Sequence, residues 1–154
     1  MRVELLDCTD DIENRLGAYA QTCRGKQCDL TNRAKNLKTL AVVLRHQHLS
    51  VLRFASATIL VSGISRACSH QLVRHAHFGF LQESQRSVKS THENFVYPFD
   101  ENVPIAQIKT IYQEAQCQYE NLLQMGVRKE DARLVLPQGV ATSLIMTANL
   151  QAWL

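Results

Sequence analysis

Ile105, Ile108, Tyr112, Ala115, Tyr119 and Leu122 recur at three- and four-residue intervals, which predicts one long amphipathic helix; Gly126 ends it at a position where glycine is favoured. A helix with one apolar face requires a core to cover it. Runs rich in β-branched and apolar residues supply candidates: residues 54–61 and 142–147 read as strands, and residues 3–6 as a short opening strand. Further helices are expected over residues 12–22 and 34–45, the second with Leu37, Leu40, Ala41 and Leu44 as its stripe. Another is expected over 64–76 after a break at Gly63, and another from Arg128 to just before Pro137. Residues 23–32 and the polar, proline-containing stretch 87–104 read as loops. Asn149 is expected to cap a last helix that begins at Leu150.

With 154 residues, 45% of them hydrophobic and 20% charged, the chain has the composition of an ordinary globular protein, and a single domain is expected. Its formal charge of +3 suits an anionic ligand but lacks the dense Lys/Arg footprint of a nucleic-acid binder. No apolar run approaches the roughly 20 residues that span a bilayer, and residues 1–11 hold no signal-peptide core, so a cytoplasmic protein without membrane association is expected. The five cysteines form no C-x-x-C pair and are expected to be buried thiols, Cys68 on the core face of the 64–76 helix. His46 and His48, and His75 and His77, form H-x-H pairs; with no acidic residue near His75, no metal site is expected.

Residues 71–86 concentrate the chemistry. Gln71, Arg74, His75, Gln82, Glu83, Ser84 and Arg86 bring together two guanidiniums, an imidazole, amide and carboxylate groups and a hydroxyl. The planar guanidinium fork suits bidentate phosphate recognition, and an amide can read a heterocycle edge through its paired donor and acceptor. That is a nucleotide-shaped demand. The plainer reading is a basic helix end favoured by the macrodipole, with Arg66 and His70 on a solvated face.

The run Gln71-Leu72-Val73-Arg74-His75-Ala76, followed after seven residues by Ser84-Gln85-Arg86, resembles the signature of flavin-dependent thymidylate synthases, in which Arg-His-Arg precedes Ser by the same interval. Residues 48–52 (HLSVL), 63–70 (GISRACSH), 131–137 (DARLVLP) and 142–149 are similar to other segments of that family, in the same order. The resemblance implies an α+β fold with a central, mostly antiparallel sheet flanked by helices, assembled as a homo-oligomer, a tetramer. It implies FAD as cofactor, NADPH and methylenetetrahydrofolate as co-substrates, and conversion of dUMP to dTMP.

Carried over position by position, Ser50, Arg74, His75, Gln82 and Asn149 match places that contact FAD. Gln71, Arg74, Gln82, Glu83, Ser84, Gln85, Arg86 and Arg133 match places that hold dUMP. The family's pattern is broken at Ala76, where the second Arg of the triplet is expected, at Arg53-Phe54 in place of Glu-His, and at Gln151 in place of a flavin-contacting Arg. The resemblance also implies a His or Asn near the flavin and a ring-ionising Arg beyond Leu154, so the sequence reads as C-terminally incomplete and no catalytic residue is assigned within it. The alternative is a catalytically impaired nucleotide-binding homologue that serves as a binding or scaffold protein.

Overall fold

A computed structural model describes residues 1–91, 94–98, 100 and 102–154. Four strands, β1 (Arg2–Cys8), β2 (Ser56–Ser65), β3 (Gly79–Gln82) and β4 (Ala141–Asn149), form an antiparallel sheet in the order β1-β2-β4-β3. The helices are α1 (Ile12–Thr22), α2 (Arg33–Arg45), α3 (Arg66–Leu72), α4 (Ile105–Gln124) and α5 (Lys129–Ala132), with 3-10 helices at Leu49–Phe54 and Arg133–Val135. This is the expected α+β class. In β4, Thr142, Leu144, Met146 and Ala148 are buried and alternate with less buried neighbours, as a strand with one covered face must.

Several elements depart from their sequence expectation for local reasons. Gly63 does not end β2, because its φ of +69° lets the strand kink and continue to Ser65. Ser65 then caps α3, its hydroxyl accepting from the Cys68 N–H at 3.1 Å, and the helix stops at Leu72 rather than at 76. Phe54 belongs to a 3-10 helix instead of a strand, and residues 79–82, not expected as a strand, form β3. After Arg128 there is a single α-turn followed by the 3-10 helix rather than one continuous helix. In α2 the buried residues are Asn36, Leu40 and Val43, whereas Ala41 and Leu44 are exposed. The thiols are not buried: Cys8 is half-buried, and Cys23, Cys28, Cys68 and Cys117 are exposed. Of the loop expected over 87–104, residues 92, 93, 99 and 101 lie outside the described residues; Phe95 forms an isolated bridge with Val140.

Packing divides the chain into two compact units, both of which draw residues from the strands. The unit comprising residues 4–59, 77–79 and 146–154 has a core of Leu16, Ala20, Leu40, Val43, Val51 and Ala55, against which Ile12, Tyr19, Leu52 and Leu150 pack. Its two helices meet closely at Gly17, where an added Cβ would lie 2.0 Å from the Asn36 carbonyl oxygen. Beside that contact, Asn36 donates to Asn14 Oδ1 at 2.7 Å and accepts from the Gln21 amide, a buried polar cluster in which Gln21 Oε1 has no partner among the described residues.

The unit comprising residues 1–3, 60–76 and 80–145 carries α3, α4 and α5. Tyr119 is its largest fully buried side chain, and along α4 Ile105, Ile108, Tyr112, Ala115 and Leu122 are half-buried, so the predicted stripe is the covered one. Gln116, also buried, exchanges two hydrogen bonds with Ser90, at 2.9 and 3.0 Å.

Candidate nucleotide and flavin site

The segment 71–86, which apart from residues 77–79 belongs to the unit that carries α3, is a helix end, two turns and a short strand. Gln71 is exposed on the last turn of α3. Because the helix ends at Leu72, Arg74 does not continue the row of Arg66 and His70; it lies exposed in the following turn, its N–H bonded to the Gln71 carbonyl at 3.2 Å. His75 Nδ1 sits 2.9 Å from the Leu72 carbonyl oxygen, and since a carbonyl only accepts, Nδ1 carries the hydrogen. Ala76 is exposed and offers a methyl group where the triplet would place a guanidinium.

β3 then presents Gln82, whose amide donates to Ser69 Oγ at 2.7 Å and, at longer range, to Thr142 Oγ1 at 3.4 Å. The amide nitrogen is therefore committed inward, and the carbonyl oxygen is the end left for a ligand. The Glu83 N–H pairs with the Ser143 carbonyl at 2.9 Å, which fixes the exit from the strand. Beyond it the chain turns on Ser84: its hydroxyl accepts from the Arg86 N–H at 3.2 Å, and its carbonyl from the N–H groups of Ser87 and Val88. Ser84 and Arg86 are both exposed on this turn.

Arg133 lies half-buried at the start of its 3-10 helix, with Nε donating to the Glu130 carbonyl at 3.1 Å. A cleft of about 330 Å³ brings it together with Gln85, and also with Arg66 and His70, two residues that the sequence reading left on a solvated face. Arg66 Nη2 donates to the Glu83 carbonyl oxygen at 2.9 Å. Burial lowers the pKa of Arg66 from its ordinary value; Glu83 opposes that shift and Arg133 adds to it. In the sequence Arg66 was marked by its four-residue spacing from His70 and by its place in the family-like segment 63–70.

Ser50 and Asn149 belong to the other unit. Ser50 lines a largely apolar cavity of about 690 Å³ together with Tyr19, Val43, His48, Val51 and Phe54. The Tyr19 and Phe54 rings meet edge to face with centroids 6.1 Å apart. Asn149 Oδ1 accepts from the Ala152 N–H at 3.0 Å, so this side chain caps the final turn as expected, although the turn is not a helix. Next to it, Gln151 Oε1 accepts from Arg53 Nε, which joins two of the positions that break the family's pattern.

Among the described residues no group of three or more His, Cys, Asp or Glu could hold a metal, and no helix is long and apolar enough to cross a membrane.

A family model described as "Thymidylate synthase complementing protein" matches residues 4–154. The flavin-dependent thymidylate synthase of Sulfurisphaera tokodaii is 36% identical over 157 residues, which cover 97% of this chain and 61% of that protein. The enzyme of the same name from Pyrococcus furiosus is 36% identical over 121 residues, 74% of this chain and 50% of that protein. The chain thus spans about half to three fifths of the length of these curated relatives.

Among solved structures, the UMP/dUMP methylase PolB from Streptomyces cacaoi bound with 5-Br dUMP superposes with a TM-score of 0.77 at 22% identity, covering 98% of this chain and 74% of that one. Thymidylate Synthase X (ThyX) from Helicobacter pylori with FAD and dUMP gives 0.77 at 18% identity, covering 99% and 80%. At such identities these two establish the fold. The family match over almost the whole chain, together with relatives above one-third identity, establishes that the chain belongs to the flavin-dependent thymidylate synthase family.

Proposed function

We propose that this chain is the nucleotide- and flavin-binding region of an enzyme that converts dUMP to dTMP, with FAD as cofactor, methylenetetrahydrofolate as carbon donor and NADPH as reductant. The observation that carries the reading is the arrangement of residues 71–86: Gln71, Arg74, Ser84 and Arg86 are all exposed around a strand whose Gln82 is held in one orientation by Ser69. Ser84 and Arg86 are assigned to the phosphate, with Arg133 and Gln85 in the neighbouring cleft. Gln71, Arg74 and Gln82 are assigned to the pyrimidine and its flavin neighbour, and Glu83 to the support of that loop. Residues 4–154 are taken as one family domain, on the extent of the family match.

The donor set fits a flavin. Tyr19 and Phe54 give the cavity beside Ser50 apolar, aromatic walls suited to a ring system; Asn149, Arg74, His75 and Gln82 are assigned to FAD on the resemblance alone. When bound and reduced, FAD supplies the hydride that turns a transferred one-carbon unit into a methyl group. The chain's own residues bind and orient the nucleotide. Exposed apolar side chains such as Leu81, Leu134 and Met125 support assembly, for which we propose a homotetramer, and free thiols support a cytoplasmic setting.

The test is to purify the protein, titrate it with FAD and assay dTMP formation from dUMP with methylenetetrahydrofolate and NADPH. Flavin absorbance that co-purifies or reconstitutes, together with product, is expected. Protein that takes up neither FAD nor dUMP would overturn the reading. A second reading, a nucleotide-binding homologue without turnover, is favoured by Ala76, which gives the flavin no cation. Its signature is dUMP binding by calorimetry that is indifferent to FAD and weakened in Arg86→Ala and Arg133→Ala.

A further inference from the structure

In the unit comprising residues 4–59, 77–79 and 146–154, a groove of about 490 Å³ is lined by α2 and by the turn that leaves α1. On α2 the lining residues Lys35, Lys38, Thr39 and Val42 follow at three- and four-residue steps and so share a face. That row runs roughly 10 Å along the helix. The turn contributes Arg24 and Lys26, and its backbone is fixed: both N–H groups bond to the Gln21 carbonyl, at 2.9 and 3.3 Å, and Gly25 takes a φ of +67°. Gln21 is itself buried and donates to Asn36 of α2, which ties turn and helix to one another.

The cations Arg24, Lys26, Lys35 and Lys38 line this groove, and no acidic residue does. All four are exposed, and none makes an ion pair among the described residues. Their neighbour Arg33 shows the contrast, since it is paired with Asp11 and Glu13. The nearby acid Asp29 is occupied elsewhere: its carboxylate accepts from the Thr31 N–H and hydroxyl at 2.8 and 2.6 Å, and those bonds lower its pKa more than Lys35 does. Charges of one sign gathered along a groove concentrate anions there.

The distribution of this charge says more than its sign. Each lysine is a point charge on a flexible stem, and a row of them matches single negative charges spaced along a chain. A compact phosphate is better served by forked guanidiniums or converging backbone N–H groups. The groove also adjoins the aromatic-walled cavity of about 690 Å³ beside Ser50: Arg24 lines both spaces, and Val42 of the groove is followed by Val43 of the cavity. A ligand with a ring at the cavity and carboxylates along a flexible tail fits the two together.

We propose that this groove binds the glutamate tail of the folate co-substrate, with Arg24, Lys26, Lys35 and Lys38 as its cations, and that it selects folates carrying several γ-linked glutamates. This rests on the reading of the protein as a folate-dependent enzyme and adds to it a tail site outside the signature at 71–86.

Calorimetry on the full chain tests it with tetrahydrofolate carrying one or three glutamates, with free tri-γ-glutamate and with NADPH. Exposed ion pairs contribute about 1.5- to fivefold each in affinity, so the triglutamate form is expected to bind about two- to twentyfold more tightly than the monoglutamate form. The advantage should shrink as salt rises. The double variant Lys35→Gln/Lys38→Gln should erase it while leaving monoglutamate affinity and the denaturation midpoint nearly unchanged. If that variant does not fold, Lys26→Gln, on the opposite wall, must reduce the advantage. Equal affinity for the two forms, or an advantage that survives these substitutions, would overturn the proposal and leave conversion of dUMP to dTMP untouched. A loss of NADPH affinity in the double variant as large as that of the triglutamate would also overturn it, because phosphates would then be the occupants. Lys35- and Lys38-dependent binding of free tri-γ-glutamate, in protein that takes up neither folate, would uphold the groove as a carboxylate site and overturn the folate reading on which its occupant rests.

Discussion

The side-chain amide of Gln82 donates to the hydroxyl of Ser69 at 2.7 Å, and that hydroxyl donates in turn to the Arg66 carbonyl at 3.0 Å. Ser69 is fully buried, so this relay between β3 and α3 is closed to solvent on the Ser69 side. It sets which end of the Gln82 amide faces outward.

Removing the relay should be felt in both stability and binding. In Ser69→Ala the Gln82 amide keeps only the 3.4 Å contact with Thr142, so a part-buried donor loses its good partner. The expected cost is about 1 to 3 kcal/mol, read from urea denaturation midpoints. Because Gln82 is then free to rotate, dUMP affinity should fall in the same variant. Ser69→Ala protein with wild-type stability and wild-type affinity would show that the relay orients nothing.

Ala76 invites the opposite experiment. The residue is exposed, so a long side chain meets no packing obstacle, and Ala76→Arg should leave the denaturation midpoint nearly unchanged. If the flavin lacks a cation here, the same variant should bind FAD about ten- to a hundredfold more tightly, the equivalent of one charge-assisted hydrogen bond. Quenching of FAD fluorescence on titration measures this. Equal affinity for the two proteins would mean that another group already neutralises the cofactor.

Long, periodic elements were legible from the sequence, and short or bent ones were not. The apolar spacing from Ile105 to Leu122 located α4 and its covered face, and 12–22 was read to the residue. β3 escaped because Gly79-Phe80-Leu81-Gln82 is too short to show a period, and Gly63 looked like a terminator because a glycine that kinks a strand and one that ends it are the same letter. At the site, Ser84 and Arg86 were singled out from their side-chain chemistry, and the structure shows both exposed on one turn. The contact of Arg66 with the Glu83 carbonyl, and the cleft it shares with Arg133, were not legible, since their proximity is a product of tertiary structure. Cys68 was misplaced for a related reason: with the helix starting at Arg66 rather than Ile64, Ser69 takes the buried position and Cys68 turns outward.

The contact between α1 and α2 yields a prediction about folding alone. A Cβ at Gly17 would sit 2.0 Å from the Asn36 carbonyl oxygen and 2.5 Å from its carbon, both backbone atoms that no rotamer change can move. Gly17→Ala gains helix propensity worth about 1 kcal/mol, yet the helices must separate and disturb the Asn14–Gln21–Asn36 cluster. A net loss of about 2 kcal/mol or more is expected from overpacking of this kind, measured by thermal and urea denaturation. A stabilised variant would mean that the helices can part at little cost.

The last prediction concerns Arg53 and Gln151, 98 positions apart and joined by a hydrogen bond from Nε to Oε1. The resemblance implies Glu at the first position and a flavin-contacting Arg at the second, so here the cation has changed sides. Gln151→Arg alone would set two guanidiniums against each other at a half-buried position, and it should lower stability without strengthening FAD binding. Combined with Arg53→Glu, the introduced guanidinium gains a partner and is held toward its ligand. Because Arg53 is exposed, the restored pair should contribute only about 0.2 to 1 kcal/mol of coupling in a double-mutant cycle. The larger effect should be on FAD affinity, where the double variant is expected to exceed both single variants. Strict additivity in both stability and affinity would mean that these two side chains act independently and that the exchange of charge has no bearing on the flavin.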